Sequence, residues 1–160
     1  MSYDSSFLYR NLSYQILGCA FTVHSSLGSH LPEKVYENAL VMEFQRLSIP
    51  YTRQKQYEVT YDGTHCGHFF TDLIVNNQII LELKSDEFIS SSHQSQLFTY
   101  LRVCNLKVGY ILNFGRRSLQ FKRLILWLTF FSPIRVITSI FLLSSFYHSY
   151  FEFWVIEQLL

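Results

Sequence analysis

Apolar positions recur along this chain with two different periods, and the changes of period mark its elements. From Ser6 to Leu27 the residues Leu12, Ile16, Ala20, Val23 and Leu27 return at helical spacing, with Gly28 placed as a C-cap. Gly28 to Pro32 is a short break, and Pro32 suits the first turn of a second helix that reaches about Leu47. Val35, Ala39, Leu40 and Leu47 form its expected core stripe, while Glu33, Tyr36, Glu37 and Leu40 share a neighbouring face. Tyr51 to Tyr61 alternates as a strand does, and Asp62-Gly63 is a hairpin turn. The return strand, with Gly67 at a bulge position, runs into a second hairpin. A serine-rich loop, Ser85 to Ser92, offers N-caps to a third helix over Ser92 to Asn105. That helix turns Leu97, Leu101 and Cys104 to the core and puts His93, Gln96 and Tyr100 on another face. Lys107 to Phe114 is nearly continuous apolar sequence, as expected of a buried parallel strand reached by a right-handed crossover.

The second hairpin, Phe69 to Lys84, organises the rest. On its second strand Glu82 and Lys84 share one side, and Leu81 and Leu83 point to the other. A two-residue loop at Asn76-Asn77 would set Asp72 opposite Leu81. A three-residue loop, Asn76-Asn77-Gln78, pairs Val75 with Ile79, Leu73 with Leu81 and Asp72 with Glu82. The second register keeps like beside like and gathers two carboxylates and an ammonium group, so it is the expected one.

Two readings fit that patch. One is a surface hairpin with a cross-strand ion pair, a common arrangement. The other is a site for phosphodiester cleavage. Mg²⁺ is a hard ion that takes carboxylate oxygens and retains waters, and lysine can orient a water or meet phosphate charge. Glu33 is explained equally by the positive end of its helix or by a third carboxylate aimed at the metal. His93, Gln96 and Tyr100 are either a wet helix face or ligand contacts. Arg116, Arg117, Lys122 and Arg123 form the densest basic cluster, read as phosphate contacts or as a solvated segment. His24 fits a capping or solvent-facing role at its helix end. His65, Cys66 and His68 lack a fourth partner for zinc.

The totals narrow these choices. A net charge of +1 gives no global field for nucleic acid, so any such contact must be local. Three scattered cysteines, with no CxxC pair, argue against zinc and disulfides and fit a reducing cytoplasm. The polar start MSYDSS lacks a secretory apolar run.

Taken in order, VHSSLGSHLPEKVYENAL, FTDLIV, IILELKS, HQSQLFTYL and VGYILNFG resemble the GxxExxY family of the PD-(D/E)XK nuclease superfamily. The resemblance spans about Asn11 to Leu126. It implies an α/β, restriction-endonuclease-like core of α-β-β-β-α-β type, with a mixed sheet flanked by helices. It also implies a metal-dependent nuclease acting on nucleic acid, DNA before RNA, with Mg²⁺ or Mn²⁺ as cofactor. The acids carried over are Glu33, Asp72 and Glu82, with Lys84 closing the ExK pair and Gln96 and Tyr100 forming a QxxxY motif. The metal ligands expected are Asp72, Glu82, the Leu83 carbonyl and Glu33. The glycine that opens the family's name motif is His30 here, and Pro32 stands where leucine is usual. The alternative function is a catalytically weak or inactive binding module that keeps the nuclease fold.

The domain is expected over residues 6–126, followed by an apolar extension over 127–160. Leu124 to Tyr147 has the length to cross a bilayer, for which about 20 residues suffice. Pro133 and Arg135 interrupt it, and a charge at mid-membrane costs about 2.5–3.5 kcal/mol. Membrane contact is therefore a disfavoured reading, beside an added helix on the domain or a non-native read-through tail.

Overall fold

The computed structural model describes residues 7–126; the extension over 127–160 lies outside them. Two helices come first, α1 (Arg10–Leu27) and α2 (Glu33–Arg46). Three strands follow, β1 (Tyr51–Tyr61), β2 (Thr64–Val75) and β3 (Ile79–Lys84). Then come α3 (Ser91–Cys104), β4 (Val108–Asn113) and β5 (Gln120–Ile125). The strands lie in one sheet in the order β1-β2-β3-β4-β5, with β3 and β4 parallel and the other neighbours antiparallel. This is the α/β, mixed-sheet architecture expected of a restriction-endonuclease-like core, with helix α1 before it and strand β5 after it.

The sheet separates two apolar layers. On one side α1 and α2 pack Ile16, Ala20, Tyr36, Leu40 and Phe44 against Leu73, Leu81, Leu83, Tyr110 and Phe114. On the other, Leu97 and Leu101 of α3 meet Ile74, Ile80 and Ile111. Every residue of β4 is buried, as its unbroken apolar sequence predicts for a parallel strand between two layers. Gly109 lets α3 approach, since a Cβ there would meet the Leu97 side chain.

The β2–β3 register is Val75 with Ile79 and Leu73 with Leu81, which is the three-residue loop. Asn76 and Asn77 take φ values of 51° and 53°, the left-handed region that asparagine tolerates. The bulge expected near Gly67 is present: pairing passes from Val59–Gly67 to Thr60–His65 and leaves Cys66 out.

Three expectations change. Pro32 lies at the N-cap of α2 rather than inside its first turn. The core stripe of α2 is Tyr36, Leu40, Val41 and Phe44, whereas Val35 and Leu47 are exposed. The helix is rotated toward the face carrying Glu37, and that carboxylate is buried with partners from α2 itself and from β1. Lys34 reaches it at 3.0 Å, the Arg53 Nε donates at 2.8 Å and the Gln54 Nε2 at 3.2 Å. Finally, His24 turns inward and bonds the Arg116 carbonyl at 2.8 Å, joining the end of α1 to the β4–β5 loop.

Candidate active site

The acids meet where β2 and β3 part. Strand pairing between them ends at Leu73–Leu81, one step before Asp72 would face Glu82. There the Asp72 side chain substitutes for the ladder, and its Oδ2 accepts the Leu83 backbone N–H at 2.7 Å. Pairing with β1 is also interrupted at this point: it steps from Arg53–Leu73 to Lys55–Thr71, skipping Gln54 and Asp72. Gln54 has φ 45°, a left-handed conformation inside a strand. Arg53 reaches Glu37 on α2, yet Tyr57 packs in the layer formed by α3. Residues four apart share a face on a regular strand, so the break at Gln54 is where β1 changes sides.

Glu82 is 3 % exposed and holds one unusual group. Its Oε1 accepts from the Lys84 Nζ at 2.8 Å, and its Oε2 is buried with no hydrogen-bond partner among the described residues. An orphaned carboxylate oxygen is costly in a folded chain. Burial first, and then the Asp72 charge, push the Glu82 carboxyl up to about 7. Burial also raises Asp72, against the opposing Leu83 N–H and Lys84. Burial by itself would lower Lys84, but the hydrogen bond and charge of Glu82, reinforced by Glu33 and Asp72, raise it. Lys84 is thus a firmly protonated cation in this setting. Its side chain keeps more exposure than that of Glu82, 15 % against 3 %, so the ammonium lies on the open side of the pair.

Glu33 opens α2 and is exposed at the surface. Partial burial still raises its carboxyl, with Lys84 opposing and Asp72 and Asp86 adding to the rise. It therefore lies within the field of the hairpin acids. The turn before it is held by Tyr36, whose hydroxyl donates to the Gly28 carbonyl at 2.8 Å and accepts from the Leu31 N–H at 3.1 Å. The Ser85 hydroxyl donates to the Leu31 carbonyl at 2.8 Å, fastening the same turn to the residue after Lys84.

On α3, the Gln96 Nε2 donates to the Tyr100 hydroxyl at 2.8 Å. The Tyr100 ring stacks on Phe69 at 4.5 Å, and Phe69 stacks on Tyr57 at 5.6 Å. His93 is spent on the helix start: its Nδ1 accepts from the Ser90 N–H while its own N–H bonds the Ser90 hydroxyl.

The basic cluster does not stay together. Arg116 and Arg117 are exposed in the β4–β5 loop. Lys122 and Arg123 are consecutive on β5, so they point to opposite faces. Arg123 sits over the Phe7 ring at 4.6 Å and donates to the Leu8 carbonyl at 2.9 Å, which ties it to the start of the chain.

A family profile for the PD-(D/E)XK nuclease superfamily matches residues 10–124, most of the chain. The chain belongs to the PD-(D/E)XK nuclease superfamily. No curated protein matches it. A solved structure, "Crystal structure of SSO0001", is similar over 74 % of this chain and 79 % of that one, with 12 % identity and a TM-score of 0.39. That likeness is too remote to bear on function.

For a PD-(D/E)XK nuclease fold, the question is whether these donors suit a divalent ion. Among the described residues no three His, Cys, Asp or Glu side chains converge as a ready-made cluster. Mg²⁺ does not require one: it is commonly held by one or two carboxylates with waters and substrate phosphate. The partnerless Glu82 Oε2 beside Asp72 is the kind of hard oxygen such an ion takes. Among the described residues no helix is long and apolar enough to cross a membrane. Sequence reasoning missed the Gln54 reversal, the Glu37 cluster and the β5 strand. The glycine of the GxxExxY motif marks a tight turn at this position, since glycine is favoured where φ is positive, and His30 holds φ 68° there.

Proposed function

We propose that this chain is a metal-dependent nuclease that hydrolyses phosphodiester bonds, with DNA the favoured substrate over RNA. The observation that carries the reading is the buried Glu82 Oε2, which has no hydrogen-bond partner among the described residues and lies beside the Asp72 carboxylate. Asp72, Glu82 and the Leu83 carbonyl would hold Mg²⁺ or Mn²⁺, with Glu33 contributing from α2. Such an ion supplies an acidified water and offsets charge on the phosphate.

The chain's own residues do the rest. The Leu83 N–H fixes the Asp72 carboxylate. Lys84 holds one Glu82 oxygen, which would leave the other to an ion. Because Lys84 stays protonated, it serves as a cation that orients water and meets phosphate charge rather than as a base. Gln96 and Tyr100, locked to each other and to Phe69, offer a rigid edge for the nucleic-acid backbone.

The test is cleavage of single- and double-stranded DNA and of RNA with Mg²⁺ or Mn²⁺. Wild type should cleave, and Asp72→Ala and Lys84→Ala should lose at least about a hundredfold, the scale of removing one charge-stabilising group. Equal cleavage by wild type and both variants would remove the assignment.

A second reading, a nuclease-fold binding module with little turnover, draws support from His30. A histidine held at φ 68° stands in the turn that sets Glu33, and Glu33 is exposed. It predicts nucleic-acid binding without metal-dependent hydrolysis by wild type.

A further inference from the structure

One concavity lies beside the acid patch without belonging to it. It has a volume of about 410 Å³ and is lined by His30, Glu87, Gly115, Arg116 and Arg117. Two arginines and a histidine share its lining with one glutamate. Among the described residues neither arginine forms an ion pair with an acid. Arg116 is nonetheless held in place: its guanidinium lies over the Phe88 ring at 5.0 Å, and its carbonyl is bound by His24.

Gly115, which lines this concavity, belongs to a hydrogen-bonded network that reaches Lys84. Asn113 is fully buried. Its Oδ1 accepts from the Asp86 N–H at 3.0 Å and the Gly115 N–H at 3.1 Å, and its Nδ2 donates to the Asp86 carbonyl at 2.9 Å. The Phe114 N–H donates to the Lys84 carbonyl at 2.7 Å. A Cβ at Gly115 would fall inside the Asp86 carbonyl, so the loop can close on β3 only with glycine there. The Ser85–Leu31 bond holds the turn that carries His30. His30 is exposed in a left-handed conformation, φ 68°, which favours glycine. No hydrogen bond within the described residues accounts for keeping an imidazole there.

We infer that His30, Arg116 and Arg117 form a phosphate-binding subsite that grips nucleic acid away from the bond being cut. His30 is thereby a gain in binding where glycine would give only flexibility. This rests on the nuclease reading for its purpose, but binding can be measured without cleavage. The phosphate can be a terminal one or one within the strand; both present the same oxygens to the same cations.

The experiment uses the full chain in EDTA with short DNA strands bearing a 5′-phosphate, a 3′-phosphate or neither. Binding is followed by fluorescence anisotropy across a salt series. His30→Gly keeps the backbone conformation accessible, and Arg116→Gln and Arg117→Gln alter exposed side chains, so folding is preserved. Each is expected to weaken binding about two- to fivefold, the range of an exposed ion pair. The double arginine variant should lower the salt slope by about 0.7 for each single-strand phosphate that it no longer neutralises. Glu87→Gln should tighten binding. A preference for one phosphorylated end that vanishes in the variants identifies a terminal phosphate. Equal weakening on all strands identifies an internal one. Unchanged affinity and salt slope in the double arginine variant and in His30→Gly overturn the subsite, whether or not the wild type cleaves. Loss of cleavage in Asp72→Ala with binding intact would speak only to the metal site.

Discussion

Replacing Glu82 with glutamine should stabilise the metal-free protein at neutral pH, although it removes a side chain from the centre of the fold. The carboxyl is 3 % exposed and is pushed from its ordinary 4.5 up to about 7, by burial first and by Asp72 next. Between those two values the folded chain keeps a proton that the unfolded chain has released. Stability from this proton is complete below 4.5 and is lost as the pH rises through about 7. A carboxyl displaced from 4.5 to about 7 corresponds to about 3 kcal/mol across that window. Asp72 and Glu33 are raised as well and add to the same slope. Glu37, lowered by its lysine and arginine partners against the effect of burial, loses its contribution only as the pH falls, outside the window. Glutamine does not titrate and its amide oxygen can still accept from Lys84. Urea unfolding of wild type and Glu82→Gln in EDTA, from about pH 5 to about pH 8, measures the difference. The variant should gain on wild type by roughly 2–3 kcal/mol across the series, less what Lys84 loses with its partner. Parallel stability curves would show that Glu82 carries no buried charge, and the account of its orphaned oxygen would fail.

Three further outcomes follow from particular contacts. Tyr36→Phe removes a buried hydroxyl that bridges Gly28 and Leu31; it should cost about 1–3 kcal/mol in urea unfolding, with the m-value unchanged. Gly115→Ala puts a methyl group against the Asp86 backbone; it should destabilise by at least about 2 kcal/mol, read as a lowered Tm. His30→Gly relieves a left-handed histidine and should raise stability by up to about 1 kcal/mol while weakening DNA binding, opposite signs that separate strain from function.

The register of the β2–β3 hairpin was legible because only one loop length places Asp72, Leu73 and Val75 opposite residues of their own kind, and the structure pairs Leu73 with Leu81. The buried strand β4 was legible from its unbroken apolar run. Helix α2 was misread at its core stripe because its inward face carries Glu37, whose partners Arg53 and Gln54 come from β1. No local pattern can show that an acid is compensated from another element. Strand β5, QFKRLI, escaped notice because Phe121 and Arg123 share one face and Lys122 and Leu124 the other, so charge does not alternate with apolarity. The same residues read as a basic cluster until pairing with β4 split them. At the candidate site, sequence order suggested that Asp72, Glu82, Lys84 and Glu33 lie within reach of one another, as their mutual electrostatic influence bears out. It could not show that β1 changes sides at Gln54, or that one Glu82 oxygen is left without a partner among the described residues.

Titration calorimetry of Mn²⁺ into wild type, Asp72→Asn and Glu82→Gln bears most directly on the central claim. The account predicts saturable binding at one site by wild type, with proton release as Glu82 gives up the proton it holds near pH 7, and no such binding by either variant. Equal Mn²⁺ binding by all three proteins, or none by wild type, would contradict it.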